Sequence, residues 1–274
     1  MKISKTQALV ESAIMIAIAT LLSFIKLVDL PYGGSVTIAS MLPIIIIAYR
    51  HGVGTGLMAG LVYGIIQQLL GLNTLSYVTT WQSILAVILL DYIVAFLVLG
   101  LGGIFRNRFN SQAPALTLGA AFVCILRYAC HVISGATVWA GLSIPTKGAL
   151  IYSFAYNATY MLPETIVLII VTYYIGSLLD FRTAQPVRLS KSDKGDFSIL
   201  QLLAGLILTG GVVADVALVF SKLQNADTGE WNIAGLADVK WMIVAIVTAA
   251  AVIISAVLFF IGRKNAKTEK ITQE

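Results

Sequence analysis

Asp91 in ILLDYIVAF, Arg127 and His131 in ILRYACHVISG, Glu164 in YMLPETIVL and Asp215 in GVVADVALV stand inside long apolar runs. On insertion scales an ionisable side chain at bilayer depth costs roughly 2.5–3.5 kcal/mol, so it faces a cavity or a partner. Glu11 lies near the start of its run and is expected to reach water. Around the buried set lie Trp139, Tyr152 and Asn157. Aromatic faces beside a carboxylate suit a flat organic cation: the rings attract its charge and Asp91 answers it through charge-assisted hydrogen bonds. Asn157 and Tyr152 add directional bonds to ring nitrogens or an amino group. Arg127 has two readings, contact with the ligand or structural pairing with Asp91 or a helix carbonyl. An intramembrane enzyme with His131 as base and Asp91 as its orienter is the competing chemistry. No nucleophile motif, paired acidic motif or metal set accompanies it. Cys124 and Cys130, six apart on one helix, point to different faces and read as apolar fillers, and no Cys/His cluster has metal-ligand spacing.

The elements that position these groups are membrane helices. Hydrophobic residues make up 58% of the 274 and charged residues 11%, against roughly 45–50% and about 25% in soluble domains. A helix crosses the hydrocarbon core with about 20 apolar residues. The candidate spans are 8–28, 36–49, 53–71, 81–104, 114–135, 148–178, 197–221 and 239–262, the second of them short. The expected fold class is therefore all-α: a polytopic bundle of six helices plus two additional transmembrane helices. The net charge of +5 is a topology signal rather than a nucleic-acid footprint. With both termini cytoplasmic, Lys2, Lys5, Arg50, Arg106, Arg108, Arg182, Arg188 and the basic tail all fall inside, as the positive-inside rule asks. Gly56, Gly60 and Gly64 recur every four residues, a spacing that lets helices approach closely. Ala13 and Ala17 share that spacing on the first helix.

Depth decides which groups can meet. His131 falls near the outer end of the fifth helix, with Arg127 one turn deeper on the same face. Asp91 lies about 15 Å below Trp81 at 1.5 Å per residue. Tyr152 and Asn157 occupy the outer turns of the sixth helix, and Glu164 lies below them. Helices four, five and six are thus expected to line a cavity open to the outside, with an acidic floor and walls of Tyr, His and Trp. Between the first two runs, DLPYGGSVTI interrupts the apolar sequence with what reads as shaped backbone.

LPYGGSVTIASMLPI, LLDYIVAF, RYACHVISGATVW and YSFAYNATYMLPE together resemble the thiamin-specific substrate-binding (S) component of energy-coupling factor transporters. The resemblance spans residues 1–180 and implies a six-helix S-component with thiamin as its ligand. It implies substrate-binding roles for Asp91, Tyr92, His131, Gly135, Trp139, Tyr152 and Asn157. Asp91 stands where the family pattern leads one to expect Glu. The resemblance further implies a lid over the vitamin at Pro31, Tyr32, Gly33 and Gly34. It also implies docking through Ala13 and Ala17 onto a membrane-embedded coupling protein that works with two cytoplasmic ATPases. No cofactor is implied, and the chain has no phosphate-binding loop of the G-x-x-x-x-G-K-[ST] type. Residues 181–196, polar and basic, read as a cytoplasmic linker, and 197–274 as a two-helix appendage with a basic tail. A proton-driven carrier and a component for another flat vitamin remain as alternatives.

Overall fold

The computed structural model describes residues 4–30, 34–109, 111–138, 147–189, 199–223 and 233–271. Their contacts separate Met1–Asp193 from Lys194–Glu274. The first unit holds α1 (Lys5–Ser23), α2 (Leu42–His51), α3 (Val53–Leu70), α4 (Trp81–Gly103), α5 (Gln112–Val138) and α6 (Lys147–Leu178). The second holds α7 (Ile199–Leu223) and α8 (Trp241–Ile271). Six stretches among the described residues are long and apolar enough to cross a membrane: α1, α3, α4, α5, α6 and Trp241–Gly262 of α8. The chain is an all-α, multi-pass membrane protein.

Local sequence explains the departures from the expected spans. The first run ends as a helix at Ser23, because residues beyond it pair as β1 (Lys26–Asp29) with β2 (Ser35–Thr37). The second run is extended at its start and becomes helical only near Pro43, whose fixed φ suits a first helical turn. A second two-stranded pair, β3 (Leu179–Asp180) with β4 (Val187–Arg188), follows α6.

α2 forms the centre of the first unit. Every residue from Leu42 to Arg50 is buried, and its Ile44, Ile45, Ile47 and Tyr49 join Ala19, Leu99, Leu116, Val123 and Leu168 in one core. Lipid is as apolar as these side chains, so close packing rather than water exclusion holds such helices together. The glycine stripe of α3 supplies it. A Cβ at Gly60 would lie 2.5 Å from the Phe96 carbonyl oxygen, and one at Gly64 2.9 Å from that of Tyr92. Both contacts are with α4 backbone, which cannot yield as a side chain would. Gly60→Ala is therefore expected to cost about 1–3 kcal/mol through overpacking, read as a lower thermal midpoint in detergent.

At the end of the bundle where α1 begins, Glu11 does not simply reach water. Arg50 donates to both of its carboxylate oxygens, Nε to Oε2 at 3.0 Å and Nη2 to Oε1 at 3.0 Å, and the His51 Nε2 lies 2.8 Å from Oε2. The Arg50 Nη1 donates at 2.8 Å to the Phe181 carbonyl, so α1, α2 and the turn after α6 share one node.

In the second unit α7 and α8 run antiparallel. Ser255 donates to the Ala204 carbonyl at 2.8 Å, Gly211 packs on Ala251, and Thr248 donates to Asp215 Oδ2.

Candidate functional site

The site grows from one stripe of α6. Ser153, Asn157, Tyr160 and Glu164 are spaced four, three and four apart, so they share a face of the helix, and all are buried. That stripe meets Arg127 and His131, which lie one turn apart on α5. Both partner helices change their winding where they carry site residues. Ile88–Val94 of α4, which includes Asp91, and Ser134–Val138 of α5, which includes Gly135, are wound as π-helix. Such turns are rare and recur at functional sites, where they re-aim side chains.

Asp91 is held by two groups of α5. His131 Nδ1 lies 2.8 Å from Asp91 Oδ1, and the Ser134 hydroxyl donates to Oδ2. The bond to the carboxylate assigns the proton of a neutral His131 to Nδ1, leaving Nε2 as an acceptor. Nε2 is buried and has no hydrogen-bond partner among the described residues, and an unsatisfied buried polar atom costs about 1–3 kcal/mol. A ligand donor that reached it would remove that cost. Asn157 fixes the opposite wall: its Nδ2 donates to the Ser153 carbonyl at 2.9 Å and to the His131 carbonyl at 3.3 Å. Its Oδ1 accepts from the Tyr160 hydroxyl at 2.7 Å. Gly135 permits this approach, since a Cβ there would sit 2.4 Å from the Ser153 Oγ.

An aromatic series runs along α6 into the same place. Tyr152 stacks on Tyr156 with centroids 5.8 Å apart, Tyr156 meets Tyr160 edge to face at 6.2 Å, and Tyr160 meets the His131 ring at 6.1 Å. Over Tyr160 comes the hairpin between α1 and α2. Gly34 has φ +93°, and a Cβ there would lie 2.6 Å from the Tyr160 ring, so the position requires glycine on both counts.

Below these groups Arg127 Nη1 donates to Glu164 Oε2 at 2.8 Å, and its guanidinium lies 4.6 Å from the centroid of Phe96. Arg127 is thus paired with Glu164 rather than with Asp91.

The structure thus brings together Asp91, His131, Gly135 and Asn157, and places Tyr152 one ring behind Tyr156. It sends Tyr92 elsewhere: its hydroxyl lies 2.8 Å from the Thr74 Oγ1, beside Gly71 at the end of α3. Trp139, Pro31, Tyr32 and Gly33 lie outside the described residues. Ala13 and Ala17 are exposed on the face of α1 that also carries Leu9, Ile14 and Leu21. Sequence reasoning missed Ser134, Ser153 and Tyr160. The helical spacing from Ser153 to Glu164 carried the signal for two of them.

Known proteins share this arrangement's sequence. The family described as thiamine transporter protein (Thia_YuaJ) matches residues 9–180. The chain belongs to that thiamine transporter family. Among its relatives, the thiamine transporter ThiT of Bacillus subtilis (strain 168) is 38% identical over 197 residues, 68% of this chain and 95% of that protein. ThiT of Lacticaseibacillus paracasei is 28% identical over 206 residues, 69% of this chain and 94% of its own length. A solved structure of ThiT from Listeria monocytogenes superposes with a TM-score of 0.50 at 25% identity, covering 62% of this chain and 92% of that one. The thiamine transporter match ends at Asp180, and α7 and α8 lie beyond it.

Proposed function

We propose that this chain binds thiamine within its membrane bundle as the substrate-binding component of a vitamin uptake transporter, and that it is not an enzyme. The observation that carries this is the Asp91–His131 pair beside an aromatic series, with the buried Nε2 of His131 lacking a partner among the described residues. Thiamine joins a thiazolium cation to an aminopyrimidine. With His131 neutral, Asp91, Glu164 and Arg127 carry a formal charge of −1, of the sign and size to receive one organic cation. The ring faces of Tyr160 and Tyr156 suit the cation by π attraction, and the aminopyrimidine offers a donor for Nε2.

In the proposed arrangement Asp91, His131, Gly135, Trp139, Tyr152 and Asn157 line the pocket, with Pro31 to Gly34 forming the lid. The exposed small residues Ala13 and Ala17 would meet a membrane-embedded coupling protein that works with two ATPases. Both termini would be cytoplasmic, residues 181–196 would link the units, and α7 and α8 would add two spans. The test is thiamine titration of the purified chain in detergent, read by calorimetry. Saturable one-to-one binding is expected, and no binding by folded protein would overturn the assignment.

A further inference from the structure

Glu164 lies one turn beyond Tyr160 on α6 and is tied to the β1–β2 hairpin. It is 2% exposed. One carboxylate oxygen accepts from Arg127, and the other accepts at 2.8 Å from the hydroxyl of Thr37, the last residue of β2. Thr37 and Glu164 are 127 residues apart in the chain. β2 continues directly from Gly34, which rests on Tyr160, and Tyr160 and Glu164 are one turn apart on the same face of α6. The hairpin therefore has two seats on one helix, a ring surface at Tyr160 and a buried hydrogen bond at Glu164. The backbone just after the lower seat is strained. Ala39 has φ 52°, a conformation disfavoured for a residue with a Cβ, and the Thr37 Oγ1 also lies 2.8 Å from the Ser40 Oγ. Strain of this kind persists only where the surroundings enforce it.

We propose that Glu164 is a positioning residue for ligand retention: charged and fixed by Arg127, it latches β2 through Thr37, and this latch must break before the hairpin lifts from the pocket. A hydrogen bond to a carboxylate is about twice as strong as one between neutral groups, and Arg127, 2.8 Å from the other oxygen of Glu164, fixes that acceptor in place. The ion pair thus strengthens the tie. The retention step rests on the thiamine reading; the tie itself does not.

Thr37→Val removes the hydroxyl while keeping shape, and Thr37→Ser restores it. Two measurements on the full chain in nanodiscs decide the matter: amide hydrogen exchange across residues 34–40 without ligand, and thiamine dissociation by stopped flow. In Thr37→Val, exchange across that segment is expected to rise about tenfold and dissociation to quicken by a similar factor, with association and the exchange of α5 and α6 unchanged. Thr37→Ser is expected to return both to the wild-type values. Unchanged exchange in Thr37→Val would overturn the latch, and faster exchange with unchanged dissociation would overturn its role in retention. If folded wild-type protein bound no thiamine, the thiamine reading would fall with the retention role, and the exchange measurement alone would decide the tie.

Discussion

Asp91→Asn is expected to weaken thiamine binding by roughly 10- to 100-fold. The substitution keeps the size of the side chain and removes its charge, so a charge-assisted contact worth about 1.5–3 kcal/mol becomes a neutral one. It also disturbs the cluster that orients His131. Asp91 Oδ1 and Oδ2 accept from His131 and Ser134, whereas one of those positions in Asn would be an amide donor facing a donor. Asp91→Glu separates the two effects, because it keeps the charge and adds one methylene. Calorimetric titration of the three proteins is the measurement, with Asp91→Glu expected to lie between the others. A change of less than threefold in Asp91→Asn would remove this carboxylate from any part in answering the cation.

The second large effect concerns stability. Arg127→Met is expected to destabilise the chain by about 3–5 kcal/mol, the usual loss when one member of a buried ion pair is removed and the other stays. Glu164, 2% exposed, would be left without the guanidinium 2.8 Å away, and the cation–π contact with Phe96 would go too. Adding Glu164→Gln removes the stranded charge, so the double variant is expected to recover much of the loss. Thermal denaturation of the two single variants and the double variant closes the cycle. Additive losses would mean that the pair is not coupled.

What could be read from residue types was the chemistry and the set of helices that carry it. Charges stranded in apolar runs named Asp91, His131 and Arg127, and a span length of about 20 residues located α1 and α3 to α6 to within a few positions. The partners were harder to read, because pairing between helices depends on rotation and register that hydrophobic runs leave free. Arg127 pairs with Glu164 rather than Asp91 because Glu164 shares a face with Asn157 and Tyr160, which turns it toward α5. Tyr92 illustrates the same limit. It is adjacent to Asp91 in the chain, but neighbours on a helix diverge by about 100°, and its hydroxyl ends at Thr74. The β1–β2 hairpin was hidden by composition: the second run, 36–49, reads as one apolar segment, while its first two residues, Val36 and Thr37, are extended and paired.

The burial of α2 bears on how the protein is made. At 10 residues and 1.5 Å per residue it is about 15 Å long, half the thickness of a hydrocarbon core of about 30 Å. Such a helix has neither the length to partition into lipid alone nor extended ends that lipid would accept, since backbone not satisfied within a helix must be covered by protein at that depth. Protein covers it here on every side. Membrane insertion of this chain consequently cannot proceed strictly one span at a time in order of synthesis. α2 must wait, with α1 already delivered, until α3 and the later helices of the first unit emerge from the ribosome and close around it.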